Sequence, residues 1–182
     1  MPSWYPSEIN PVLAIFIEEQ AVAISKICDL LVFYNPVLTR PNLLSGQMFL
    51  KDYNFSTQSN LKILRKKIWI PQKIQALFYP IYYSFVRSQY QTYILRKWGR
   101  PDLIHAQAII PAGWASSKLG REEKIPVIVT EHYGSFANLL RTKASRKIIR
   151  ETLHNVEKVV AVSPALAKVI KDFDPSVEIK VR

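Results

Sequence analysis

The stretch Ile125-Pro-Val-Ile-Val-Thr-Glu-His-Tyr-Gly-Ser-Phe136 decides the fold. Pro126 marks a turn into Val127, Ile128 and Val129, a β-branched run that fits a buried parallel strand. Polarity then flips at Thr130, Glu131 and His132, and Tyr133-Gly134-Ser135 lets the chain turn. The same pattern stands upstream in Pro101-Asp-Leu-Ile-His-Ala-Gln107, with His105 near the strand end. It recurs downstream in Glu157-Lys-Val-Val-Ala-Val-Ser-Pro164, where Ser163 can cap a helix that carries Pro164 in its first turn. Three apolar runs, each ending in polar residues and spaced by helix-length segments, predict βαβαβ. Ligands in open α/β sheets sit just past the carboxyl ends of the strands, so Glu131 and His132 are the first candidates for a site.

Outward from that stretch, the 182 residues suit one domain with a real core, since nearly half are apolar. The net charge of +11 predicts attraction to anionic partners. Cys28 is the sole cysteine, which excludes an intramolecular disulfide framework and fits a reducing compartment. Its neighbours Ile24, Ile27 and Leu31 predict a buried thiol. No apolar run reaches the roughly 20 residues of a membrane span, and the first ten residues lack the regions of a signal peptide.

Residues 2–10 read as a loop held by prolines and aromatics, and Asn10-Pro11 as a helix start. Leu13, Phe16, Ile17, Ala21, Ile24 and Cys28 follow at helical spacing. Leu30 to Tyr34 is a strand, and Asn35 to Gln47 a turn-rich connection. Phe49 to Phe55 and Leu61 to Ile70 predict two strands paired as a hairpin. Past Pro71, Lys73 to Trp98 is a long aromatic-rich helical segment that Pro80 should kink or split. Helices are further predicted from Pro111 towards Gly120, over Leu139 to His154 and over Ala165 to Phe173, with a strand starting at Glu178.

Four of these segments, in this order, resemble the N-terminal domain of glycosyltransferase family 4. They are Pro2-Ser-Trp-Tyr-Pro-Ser-Glu-Ile-Asn-Pro11 with the helix after it, Pro101 to Gln107, Ile125 to His132, and Val159 to Ser163. The opening is similar to that of the bacterial polysaccharide-assembly branch. The resemblance implies a Rossmann-like, doubly wound, mostly parallel sheet forming the N-terminal half of a GT-B fold. It implies sugar transfer from a nucleotide-sugar donor, usually with retention and without a metal. By the same resemblance, residues 1–182 lack the first strand and the C-terminal donor-binding domain, so this stretch alone should be inactive and of poor stability. The sequence departs from the family where Leu13-Ala14-Ile15 stands for the usual Ser-Gly-Ile, and where Gln107 replaces a common second histidine.

His132 is the leading catalytic candidate, because an imidazole at a strand end can bond a sugar hydroxyl or a developing charge. Glu131 could orient it or bind a hydroxyl, and could equally cap a neighbouring loop. Ser3, Trp4, Tyr5, Asn10, Ala14, His105, Gly134 and Ser163 complete the expected donor or acceptor cleft, His105 with a structural alternative. His154 is expected to face solvent. Three histidines and one cysteine without close ligand spacing argue against a metal, and no cofactor beyond the donor substrate is expected.

Lys62, Arg65, Lys66, Lys67, Trp69 and Lys73 form a basic, aromatic mixture that suits an anionic membrane interface. The alternative is a surface strand whose lysines stay in water while its apolar residues pack inward. A lipid-linked acceptor and a peripheral place on the inner face of the cytoplasmic membrane agree with the first reading. No nucleic-acid module is recognisable, and the absent Gly-x-Gly-x-x-Gly turn excludes a dinucleotide enzyme. Two readings remain: the acceptor-side domain of a retaining transferase building a bacterial surface glycan such as lipopolysaccharide or capsule, or a non-catalytic module that binds a glycan, a lipid or a partner.

Overall fold

The computed structural model describes residues 1–7, 10–38, 52–58, 61–70 and 77–181, with 53–58 described through their backbone. Residues 39–47 of the connection expected from Asn35 to Gln47, the start of the Phe49 strand, Pro71 and Lys73 lie outside the described residues. The chain forms two compact units, one of Pro2–Arg100 and one of Pro101–Arg182 with Met1.

In the first unit, α1 (Ile15–Ser25) precedes β1 (Leu31–Tyr34) and β2 (Val37–Leu38). Then come β3 (Tyr53–Gln58), β4 (Leu61–Arg65), β5 (Ile68–Trp69) and α2 (Phe78–Gln89). β1 and β4 pair in parallel, β3 and β4 form the expected antiparallel pair, and β2 pairs in parallel with β5. Tyr5, Ile17, Ala21, Val32, Tyr34, Leu61 and Ile63 make the core. Pro11 to Ala14 form turns ahead of α1, so the helix starts at Ile15 rather than at Pro11. It ends at Ser25, three residues short of Cys28, whose thiol is therefore exposed and not buried as its spacing predicted. Pro80 causes no kink. It sits in the first turn of α2, where its missing N–H has no intrahelical partner to lose. The end of this helix widens into a π-helical stretch, Tyr90–Leu95.

In the second unit the sheet is wholly parallel, in the order β6-β7-β8-β9. Its strands are β6 (Ile104–Gln107), β7 (Val127–Glu131), β8 (Lys158–Ala161) and β9 (Ile179–Val181). The helices α3 (Trp114–Glu123), α4 (Phe136–Leu139), α5 (Lys143–His154) and α6 (Pro164–Phe173) join them. Val127, Val129, Val159 and Ala161 are buried in the sheet, and Leu119, Ile149, Leu153, Leu166 and Ile170 are buried on the helices. Gly120 packs where no side chain fits, since an added Cβ would stand 2.3 Å from Val127 and 2.6 Å from the carbonyl oxygen of Ile125. The expected cap forms, with Ser163 Oγ accepting from the Leu166 N–H at 3.2 Å, and Thr142 Oγ1 caps α5 by accepting from the Ser145 N–H at 3.0 Å. Met1 lies along the outer edge of β6, where its carbonyl accepts from the Gln107 N–H at 3.0 Å.

Candidate active site

Parallel pairing sets Gln107 beside Thr130 at the carboxyl ends of β6 and β7. His105 and Gln107, two apart on one strand, share a face. A hydrogen-bonded line of four side chains results. His132 Nε2 lies 2.6 Å from Gln107 Oε1, an oxygen that can only accept, so Nε2 carries the proton. The Gln107 amide nitrogen is 3.4 Å from His105 Nε2, and Thr130 Oγ1 is 2.8 Å from that same ring nitrogen. Both neighbours can donate to His105 Nε2, which makes it the acceptor of the line. Gln107 and Thr130 are buried, while both histidines are half-buried.

Glu131 is fully buried, at 0% exposure. Its Oε1 accepts from the His132 N–H at 2.8 Å and the Tyr133 N–H at 2.7 Å, and its Oε2 from the Ile109 N–H at 2.7 Å. One carboxylate thus ties the loop after β6 to the loop after β7. Burial pushes its pKa up, and the three N–H groups oppose that rise. The loop it holds is strained: Ala108 has φ 76° and ψ 142°, a combination L residues rarely adopt. The Ala108 N–H donates to the Thr130 carbonyl at 2.7 Å, and its own carbonyl accepts from Gly113 at 3.1 Å. Glu131 was a candidate to meet a ligand. It has no exposed surface, and it bonds backbone N–H groups of both loops, so it caps the two loops and holds the His132 backbone with them.

The remaining candidates fall elsewhere. Gly134 is exposed in open space, and Ser163 is engaged as the cap of α6. In the first unit, Ser3 and Trp4 are half-buried and Asn10 is exposed. Tyr5 is wholly buried, 6.0 Å from the Tyr34 ring, so it belongs to a core rather than to a cleft surface. Ala14, which stands where the family commonly has glycine, has φ 55° and ψ 37°, the left-handed conformation in which glycine is at ease.

Arg65 leaves the basic patch: it is fully buried, donates to the Pro6 carbonyl at 2.9 Å and lies 5.8 Å from the Tyr34 ring centroid. Lys62 is exposed and paired with Asp29 at 3.2 Å, and Trp69 is 59% exposed. Lys66 stands 5.0 Å from the centre of the Tyr93 ring, and Lys67 is half-buried. His154, expected in solvent, is half exposed and bonds Asp174 through Nε2 at 2.9 Å. Among the described residues no group of three His, Cys, Asp or Glu side chains is placed to hold a metal. None of the described helices is long and apolar enough to cross a membrane.

Sequence reasoning passed over Thr130 and treated Gln107 only as a departure from the family. The signal was present in the two-residue spacing from His105 and in the parallel register, which sets Gln107 against Thr130.

A parallel α/β sheet with polar residues gathered at its strand ends is a Rossmann-like arrangement. The model of Glycosyltransferase Family 4 matches residues 55–181, more than two thirds of the chain, and the chain belongs to that family. It is a glycosyltransferase domain, and its substrates are a nucleotide-sugar donor and an acceptor. Among solved structures it is similar to sucrose-phosphate synthase from Thermosynechococcus elongatus. The identity is 18% and the TM-score 0.52, over 92% of this chain and 82% of that one, which is a likeness of fold. No curated protein matches the sequence.

Proposed function

We propose that this domain forms the acceptor side of a retaining, metal-independent glycosyltransferase of bacterial surface polysaccharide synthesis. Its acceptor is a glycan or a lipid-linked glycan, met at the cytoplasmic face of the membrane. The observation that carries this reading is His132, half-exposed at the carboxyl end of β7 and anchored through Nε2 to Gln107. An imidazole fixed in this way suits a hydroxyl of the sugar, or the charge that develops as the donor phosphate leaves. Glu131 holds the His132 backbone, and Gln107 holds its ring. The family assignment supports the transfer chemistry. The opening of the chain, similar to the polysaccharide-assembly branch, supports the substrate class.

The test is transfer from labelled nucleotide sugars to glycan and lipid-linked acceptors by the protein and its His132→Ala variant. Loss of one preorganised polar contact should lower kcat by about 100-fold. Activity within about threefold of wild type would remove His132 from the chemistry. Inversion at the anomeric carbon, read by NMR of the product, would refute retention, and loss of activity in a chelator would refute metal independence.

A further inference from the structure

We propose that the sugar held beside His132 is an uncharged pyranose, laid against Tyr133 and Val162. This rests on the function proposed above and adds the class of sugar. The chain has a net charge of +11, and 21% of its residues are charged. Yet no Asp, Glu, Lys or Arg stands from His132 to Leu140, after β7, or from Val159 to Ala167, along β8 and into α6. These two stretches meet in the fold, because α4 packs against α6. The sheet sets Val162 on the face that carries the polar line. Thr130 pairs with Val160, and the Val162 N–H carries the ladder onward by donating to the Glu131 carbonyl at 3.3 Å. Val162 follows Val160 by two, so it shares a face with Thr130 and Gln107.

Val162 is 36% exposed and Tyr133 38%, at the strand ends where ligands of such sheets sit. Both are presented on fixed backbone, Tyr133 through its N–H to Glu131 Oε1 at 2.7 Å. A surface already ordered pays less on binding. Small-molecule sites combine a mostly apolar lining with a few polar groups, and here the polar group is the imidazole. A pyranose matches that mixture. The C–H groups of its ring form an apolar face that lies on an aromatic side chain, while its hydroxyls reach His132. A uronate or sialate would instead bring a carboxylate against two loops that carry no cation, and desolvating an unpaired charge is costly. The amino end of α6 opens beside Val162 and would otherwise favour an anion. Pro164 brings no N–H there, and the Leu166 N–H is taken by Ser163 Oγ at 3.2 Å. The site therefore selects a neutral sugar within a strongly basic chain.

The test has two arms, both on the full chain. Saturation-transfer NMR compares the methyl glycosides of glucose, galactose and mannose with those of glucuronate and galacturonate. Ring C–H protons of at least one hexoside should saturate, and those of the uronates should not. Tyr133→Ala should weaken binding of that hexoside by about tenfold, the size of one aromatic contact, and Tyr133→Phe by less than about twofold. In the transfer assay Tyr133→Ala should raise KM by about tenfold and leave kcat within about threefold. A rise in KM for the nucleotide sugar assigns the ring to the donor, and a rise for the acceptor assigns it there. Uronates that bind as well as the hexosides, no contact with any hexoside, or a Tyr133→Ala variant that binds like the wild type would each overturn the proposal. The NMR arm does not depend on turnover, so it decides this inference even if His132→Ala retains full activity and the chemistry proposed at His132 falls.

Discussion

Glu131→Gln isolates the role of the buried carboxylate. In the native protein three backbone N–H groups converge on two oxygens. Glutamine can keep one oxygen against His132 and Tyr133, and it then turns an N–H₂ towards the N–H of Ile109, a residue with no exposed surface. An unsatisfied buried donor costs about 1–3 kcal/mol. The two surviving bonds also lose their charge assistance. Against this, burial already disfavours the charged carboxylate, so the neutral side chain recovers part of the loss. The net destabilisation is about 2 kcal/mol, which lowers the melting temperature by roughly 4–8 °C in a protein of this size.

Amide exchange localises the effect. The Ile109 N–H should exchange about 30-fold faster, the equivalent of 2 kcal/mol, while amides in β8 and α6 that exchange through local opening stay unchanged. Glu131→Ala strands all three donors and should cost more, about 3–5 kcal/mol. An Ile109 amide that exchanges at the wild-type rate in Glu131→Gln would refute the clamp, and with it the assignment of Glu131 to positioning.

Three further outcomes are expected. Ala14→Gly relieves a left-handed alanine costing about 1–2 kcal/mol and adds about 0.5–1 kcal/mol of unfolded-state entropy, so urea denaturation should show a gain of about 0.5–1 kcal/mol; a loss would mean the Ala14 methyl packs usefully. Gly120→Ala drives a Cβ into Val127 and the Ile125 carbonyl and should destabilise by about 2–3 kcal/mol in the same assay, whereas a neutral result would show that α3 can lift from β7. Asp174, held by the Ser176 hydroxyl and then by His154, has its pKa lowered from 3.8 to about 2. Its ionised form therefore adds stability above pH 4, and that stability disappears as pH falls from about 4 to 2. With half-exposed partners the contribution is about 1 kcal/mol, and Asp174→Asn should flatten this part of the acid titration.

The strands of the second unit were legible because each is a short β-branched run closed by a polarity change, and a parallel sheet buried on both faces needs that pattern. The errors came from stretching a period past the element that carries it, or from neglecting one. Helical spacing placed Cys28 inside, yet α1 has ended by then and the thiol is exposed. Arg65 was grouped with the lysines around it, although strand alternation sets it on the same face as the buried Leu61 and Ile63 while Lys62 faces solvent. A charge on the inner face of a strand was the harder reading to accept. It is met there by the Pro6 carbonyl, from a loop distant in sequence that no local pattern could supply.

The site divides along the same line. Strand ends and histidines can be read locally, so His132 and His105 were found. What each side chain does depends on its neighbour across the sheet. The same carboxylate after Thr130 would face a ligand if the turn after β6 ran elsewhere. Here the strained Ala108 turn delivers the Ile109 N–H to it, and the carboxylate becomes a tie between two loops. Gln107 follows the same logic, because an amide both accepts from one imidazole and donates to the next. A histidine at position 107 could also bridge them, but it would add a titrating group between two others. The glutamine does not ionise, so its amide oxygen accepts from His132 Nε2 whatever the pH.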